Sequence, residues 1–175
     1  MPETQSLEKY REDLTRHLME VCTGNGYLDG KLLNTPDIDE VWERIAPGYY
    51  GDAVLQFNAW PQYSLACAGF LGMAVAKLWD EDWTRYRDVP YAHFLGARGF
   101  DDMDDHITDT ILGEREPGVP AMQSAAAEAH HFLLRTNPEP GTADAYRRFL
   151  VTASVLFRIG AAIQLCALGY RMESA

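Results

Sequence analysis

The chain has 175 residues, of which 47% are hydrophobic and 23% are charged. This length and composition are typical of one globular domain with its own buried core, and they exclude a predominantly disordered chain. The formal net charge is −11, from 26 acidic and 15 basic residues, which argues against nucleic acid or a membrane surface as a partner. We therefore predict a single domain over residues 1–175.

The N-terminal segment and the cysteines indicate the compartment. Residues 1–13, MPETQSLEKYRED, lack the basic and apolar regions of a signal peptide. Cys22, Cys67 and Cys166 form no Cys-x-x-Cys pair, and the last two lie in apolar segments rich in small residues. These features predict a cytoplasmic protein with buried, reduced thiols.

The first helix is predicted from an amphipathic pattern. Apolar residues recur at spacings of three and four over residues 7–21, with charged residues between them. Ser6 is expected to cap its start, and the Gly-Asn-Gly run at 24–26 is expected to end it.

Prolines mark the next two predicted helices. Thr35 followed by proline is typical of a helix start, and Pro47 with the following glycine is expected to close that helix. Residues 49–58 are then predicted to form a separate short helix. Pro61 opens a longer helix that is expected to end near Trp79.

Two of the predicted helices are rich in small residues. The helix after Pro61 contains LACAGFLGMAVA, and the last helix, expected after Thr142 and reaching as far as Met172, contains GAAIQLCALG. Small side chains let two backbones approach closely, a principle best documented in membranes. We therefore predict that these two helices pack against each other, with Gly160 as a possible bend.

The last helix also contains an apolar stretch, residues 149–170, that is long enough to raise the question of a membrane span. Arg158 lies near its centre, and a charge there is costly in lipid. We therefore predict a buried core helix and no membrane. The guanidinium then needs an acidic partner, for which Asp52 and Asp102 are candidates, or it anchors an anionic ligand.

The remaining segments predict shorter helices and no strand. A helical turn is expected from Tyr91, and helices are expected over residues 101–112 and 121–136. No window shows the period-two alternation of a strand. The sequence thus predicts an all-α fold, a compact single-domain bundle of about six to eight helices with the long apolar C-terminal helix in the core.

The segment 99–109 holds five aspartates and one histidine. On an α-helical projection Asp102, His106 and Asp109 fall at i, i+4 and i+7 on one flank. With Asp105 nearby, they are candidate ligands of a divalent metal such as Mg²⁺, Mn²⁺ or Zn²⁺. Alternatively, the aspartates cap the helix start and complement its dipole.

Aromatic residues supply the candidate contacts to a ligand or partner. Tyr50, Trp60, Trp79 and Trp83 lie in one half of the chain, and an exposed apolar patch is expected near the last two. The alternative is that these side chains cover the core, with only their polar tips at the surface.

Familiar catalytic signatures are absent from the sequence: there is no Walker A loop, no GxGxxG, no GxSxG and no HExxH. The interpretation that follows is a non-catalytic interaction or oligomerisation module, either a homo-oligomer or a subunit that docks a protein partner. The alternative is a divalent-metal-dependent enzyme, a hydrolase or one acting on a phosphorylated substrate, that uses the Asp-rich helix 101–109.

Overall fold

The computed structural model describes residues 3–30, 32, 35–113, 116–136, 139 and 141–170, with side chains from Ser6 onward. Within these residues the chain folds as a compact bundle of α-helices, with one isolated bridge between Gly96 and Gly99 and no strand. The predicted all-α fold is confirmed. The helices are α1 (Glu3–Gly24), α2 (Pro36–Gln56), α3 (Pro61–Tyr86), α4 (Met103–Asp105), α5 (Gly118–Arg135) and α6 (Ala143–Ala167).

Helix α1 begins earlier than predicted. It starts at Glu3, so Ser6 lies inside the helix and is not its N-cap. It ends at Gly24, as predicted, and Gly26 adopts a φ of 83° in the turn that follows. The glycine run therefore terminates the helix by allowing a left-handed backbone.

Helix α2 starts at Pro36 as predicted but continues through Pro47 to Gln56, so the prediction of two helices with a break at Pro47 was wrong. A proline inside a helix removes one hydrogen bond. One buried apolar stripe includes residues before and after Pro47. Burial of this stripe favours a continuous helix over the local tendency of proline to break it. The stripe consists of Ile38, Val41, Ile45, Tyr49 and Ala53.

Helix α3 runs to Tyr86, past the predicted end at Trp79. Its last turn is set off by Asp82, whose φ of −166° and ψ of 89° are not helical. The Asp82 Oδ1 atom accepts a hydrogen bond from the Arg85 backbone N–H at 3.2 Å. Asp82 therefore interrupts the helix and caps the turn that follows, which carries Trp83.

The centre of the bundle is the pairing of α3 with α6, which the small-residue runs predicted. A Cβ atom at Gly72 would overlap the carbonyl oxygen of Phe157, and one at Gly160 would overlap that of Gly69. The two backbones are thus in direct contact at two places. Gly160 is a contact point within a helix that continues to Ala167.

Helix α6 is the one described helix that is long and apolar enough to span a membrane, and 72% of its most apolar window is buried inside the protein. The prediction of a buried core helix is confirmed. Thr142 caps its start, with Oγ1 accepting from the Ala145 N–H at 3.2 Å. The helix ends at Ala167 and residues 168–170 are not helical, so the predicted extension toward Met172 was wrong; Met172 itself lies outside the described residues.

Helices α1, α2 and α5 surround this central pair. A buried hydrogen bond of 2.5 Å between the Tyr10 and Thr152 hydroxyls ties α1 to α6. Burial raises the pKa of Tyr10 to about 12, so this hydroxyl stays protonated at neutral pH. The turn from α2 into α3 is largely exposed, with residues 58–60 at the surface.

Candidate functional site

The Asp-rich segment does not form the regular α-helix assumed for residues 101–112. Phe100–Asp102 is a 3₁₀ turn, α4 is a single turn, and His106–Ile111 is π-helical. Each type of helix has a different number of residues per turn, so spacings of four and seven no longer place side chains on one flank.

Asp102 is held by a neighbouring arginine. Its Oδ1 lies 2.7 Å from Arg98 Nη2, and its Oδ2 accepts from the Arg98 backbone N–H at 2.9 Å. These bonds close the turn in which Gly96 and Gly99 exchange backbone hydrogen bonds. Hydrogen bonding from Arg98 keeps the pKa of Asp102 below its usual value. Asp102 therefore has a structural role in this loop.

The other three predicted metal ligands do not form a metal site with Asp102. His106 Nε2 lies 3.0 Å from the carbonyl oxygen of His93. A carbonyl can only accept, so Nε2 carries the proton and Nδ1 is the ring nitrogen with the lone pair. Asp105 and Asp109 are exposed. Among the described residues no three His, Cys, Asp or Glu side chains form a group that could hold a metal ion.

Arg158 is at the surface of α6 rather than in the core. Its side chain is 43% exposed and its Nε lies 3.8 Å from Asp39 Oδ1. Both predicted partners were wrong, since Asp52 accepts from the Tyr91 hydroxyl at 2.8 Å and Asp102 pairs with Arg98. The cause is geometric: α2 covers this side of α6, and Asp39 lies on α2.

Three of the four candidate aromatic residues are half-buried. Trp79 packs edge-on against Tyr170 with ring centroids 5.4 Å apart. The Tyr50 hydroxyl donates to the Leu150 carbonyl at 3.1 Å. Trp83 lines a groove of about 230 Å³ between α2 and the end of α3. The remaining groove residues are Asp37, Glu40, Val41, Arg44, Arg87 and Asp88.

The two most exposed large apolar side chains of the described residues lie at the turn between α2 and α3, whereas the exposed residue beside Trp79 is Tyr170, at 39%. Leu55 is 80% exposed, Trp60 is 65% exposed and Val54 is 41% exposed. We call these three side chains the α2–α3 corner. Leu55 lies in the last turn of α2, beyond Ala53, the last buried residue of that helix.

A tight turn positions Trp60. The backbone N–H groups of Ala59 and Trp60 both donate to the Gln56 carbonyl, at 3.1 and 2.7 Å. Trp60 then precedes Pro61, the first residue of α3, and its side chain caps no helix N–H group. The indole is consequently presented to solvent by a fixed backbone.

The Asp-rich segment borders this corner. Gln56 Nε2 donates to Asp101 Oδ1 at 3.4 Å. The Tyr63 hydroxyl donates to the Phe100 carbonyl at 2.6 Å and lies 3.4 Å from Asp104 Oδ1. Gln56 and Tyr63, which flank Trp60 in the sequence, therefore both contact the acidic segment.

Burial makes two of the cysteines poor nucleophiles. Cys22 and Cys67 are buried, whereas Cys166 is only half-buried, contrary to prediction. Burial raises the pKa of Cys22 to about 11 and also raises the pKa values of Cys67 and Cys166. The reactive thiolate is therefore scarce at neutral pH.

Sequence reasoning predicted Trp60 as a contact residue but missed Leu55 and Val54. The available signal was the helical register: the buried positions from Ile38 to Tyr49 place Leu55 outside the apolar stripe. That register was lost because a break was expected at Pro47.

Comparison of the chain with protein-family models, with curated proteins and with solved structures yields no match.

Proposed function

We propose that the chain is a non-catalytic interaction module that docks a partner protein through the α2–α3 corner. The observation that carries this proposal is the 80% exposure of Leu55 beside the 65% exposure of Trp60. Tryptophan is among the residues most enriched at binding hot spots, and adjacent exposed apolar side chains mark interaction sites. Burying a large apolar side chain contributes roughly 1.5–3 kcal/mol.

The partner is a separate protein rather than a second copy of the chain. Each copy carries a formal charge of −11, so two copies repel each other at neutral pH. The carboxylates of Asp101 and Asp104 contact Gln56 and Tyr63, on either side of Trp60 in the sequence, so we expect them to add to that repulsion at the contact. A partner with basic residues around an apolar anchor would be attracted to it.

Catalysis has less support. Two of the candidate ligands are engaged within the fold: Asp102 by Arg98, and Nε2 of His106 by a backbone carbonyl. The metal-dependent hydrolase predicted as the alternative needs at least three converging ligands, and no such group occurs in the described part of the chain. A binding role needs only the exposed corner.

Site-specific photocrosslinking in native cells tests the docking role. A photoreactive amino acid at position 55 is expected to give a discrete adduct, and the same amino acid at position 134 should give none. Leu134 is the matched control because it is 56% exposed on α5, in another part of the surface.

The captured protein is then purified and its affinity measured. Trp60→Ser is expected to weaken binding by about 2 kcal/mol, as for a hot-spot residue, while Leu134→Ser leaves it unchanged. Serine also suits the position before a helix, so the fold should survive. An adduct at twice the mass of the chain, equal adducts at both positions, or unchanged affinity in Trp60→Ser would overturn the proposal.

A further inference from the structure

We infer that the α2–α3 corner binds a cationic amphipathic segment of the partner. The apolar side chains of that segment cover Leu55 and Trp60, and its Lys or Arg side chains reach the nearby aspartates. This inference rests on the proposed docking function and adds the chemistry of the partner. It depends on the contacts of Gln56 and Tyr63, which bring Asp101 and Asp104 to sequence neighbours of Leu55 and Trp60.

The charge of the acidic segment is incompletely balanced within the fold. Of the five aspartates, Asp102 is paired with Arg98, whose Nη2 lies 2.7 Å from Oδ1. Among the described residues, no ion pair within 4.0 Å involves the other four. These four are Asp101, Asp104, Asp105 and Asp109. Asp101 accepts a weak hydrogen bond of 3.4 Å from Gln56, and Asp104 Oδ1 lies 3.4 Å from the Tyr63 hydroxyl, whose proton goes to the Phe100 carbonyl. Both carboxylates therefore keep lone pairs for an incoming cation.

Mutual repulsion in this segment supports the same conclusion. The pKa of Asp105 is raised above its ordinary value, chiefly by the negative charge of Asp104, with desolvation, Asp109 and Asp102 adding to the effect. Arg98 opposes the shift but does not cancel it. A Lys or Arg from a partner would relieve the repulsion, and such relief is a gain that only a cationic ligand can provide.

An amphipathic segment fits the surface better than a small cation. A free cation would leave Leu55 and Trp60 in water, and the described residues offer no group of three ligands for a metal. A helix with apolar residues on one face and lysines beside them satisfies both surfaces together.

The experiment measures binding of three labelled peptides to the full chain by fluorescence anisotropy. The first is an amphipathic helix of leucine and lysine, and the other two replace its lysines with glutamine or with glutamate. We expect the order lysine, glutamine, glutamate, with roughly tenfold tighter binding of the lysine peptide than of the glutamine peptide. This comparison uses the unaltered protein, so it is independent of any effect of substitution on folding.

Two carboxylate variants locate the effect. Asp101→Asn/Asp104→Asn/Asp105→Asn is expected to reduce affinity for the lysine peptide to about that for the glutamine peptide. The control is a triple variant of exposed carboxylates in the groove between α2 and α3, which removes the same charge. This control is Asp37→Asn/Glu40→Gln/Asp88→Asn, and it should keep most of the affinity.

Apolar variants separate this inference from the docking role itself. Equal binding of all three peptides that is lost in Leu55→Ser or Trp60→Ser would overturn the cationic inference and leave the docking role standing. Equal losses in the two carboxylate variants would overturn it too, since the attraction would then be diffuse. Unchanged binding of the lysine peptide to Leu55→Ser and Trp60→Ser would overturn both proposals.

Discussion

Neighbouring aspartates of the same segment occupy opposite electrostatic environments. Hydrogen bonds from Arg98 lower the pKa of Asp102, whereas the charge of Asp104 raises that of Asp105. A carboxyl with a lowered folded-state pKa stabilises the fold when it is ionised. One with a raised pKa destabilises the fold when it is ionised. The sign of a substitution therefore depends on which aspartate is changed.

We predict that Asp102→Asn lowers the free energy of unfolding at neutral pH and that Asp105→Asn raises it. The stability from Asp102 is present above its unfolded pKa and is lost as pH falls through its lowered folded pKa, where the variant and the parent converge. The penalty from Asp105 develops as pH rises from the ordinary value of 3.8 through its raised pKa. Urea unfolding of both variants across this pH range measures the two effects, and shifts of equal sign would contradict the prediction.

At the scale of elements, the contact of α3 with α6 determines the core. Gly72 lies against the Phe157 carbonyl and Gly160 against the Gly69 carbonyl, so each helix contributes glycines at the crossing. In both places the neighbouring atom belongs to the backbone, which cannot move aside as a flexible side chain does. Added volume must therefore separate the helices.

We predict that Gly72→Ala and Gly160→Ala each lower the free energy of unfolding by about 1–3 kcal/mol or more, as overpacked cores do. Gly51→Ala is the matched control, since Gly51 lies in α2 with no atom within 4 Å of its added Cβ. It should raise stability by about 0.5–1 kcal/mol, because alanine loses less backbone entropy in a helix. Chemical denaturation measures all three, and similar effects of the three substitutions would be inconsistent with a glycine-dependent crossing.

Sequence patterns predicted most elements because the signals were local. Residues 24–26, Pro36, Pro61 and Thr142 mark helix boundaries where they were expected, since a cap or a proline acts within one turn. The continuation through Pro47 was not predictable from such signals. It depends on the burial of one face against other helices, which is a property of the assembled bundle.

The candidate site was less predictable for the same reason. Trp60 was proposed as a contact from its residue type, but its 65% exposure depends on the turn that ends at Pro61. The partner of Arg158 depends on which helix covers α6, and no spacing in the sequence encodes that. The ligand set at Asp102 and His106 assumed a regular helix where the chain forms 3₁₀ and π turns.

At the scale of the whole molecule, the charge of −11 is accompanied by an acidic segment beside the one strongly exposed tryptophan among the described residues. Cations should therefore concentrate around this indole and anions should be excluded from it. The effect is local and should weaken as salt is added.

We predict that caesium quenches the tryptophan fluorescence of the protein more strongly than iodide at low ionic strength. Trp60→Phe should remove most of this difference, since Trp42, Trp79 and Trp83 are half-buried. Stern–Volmer titrations of the two proteins make the measurement. Stronger quenching by iodide, or an unchanged difference in the variant, would mean that the acidic segment does not affect the surroundings of Trp60.

The crossing of α3 and α6 also bears on how the molecule opens transiently. The contacts at Gly72 and Gly160 join segments about ninety residues apart in the chain. Neither helix can therefore separate from the other without disrupting the core. The amide protons at the middle of these two helices should accordingly exchange with deuterated solvent only through global unfolding. The amide protons of the α2–α3 turn should exchange through small local fluctuations. Binding of a partner can then change the conformation of this turn while the α3–α6 contact stays intact.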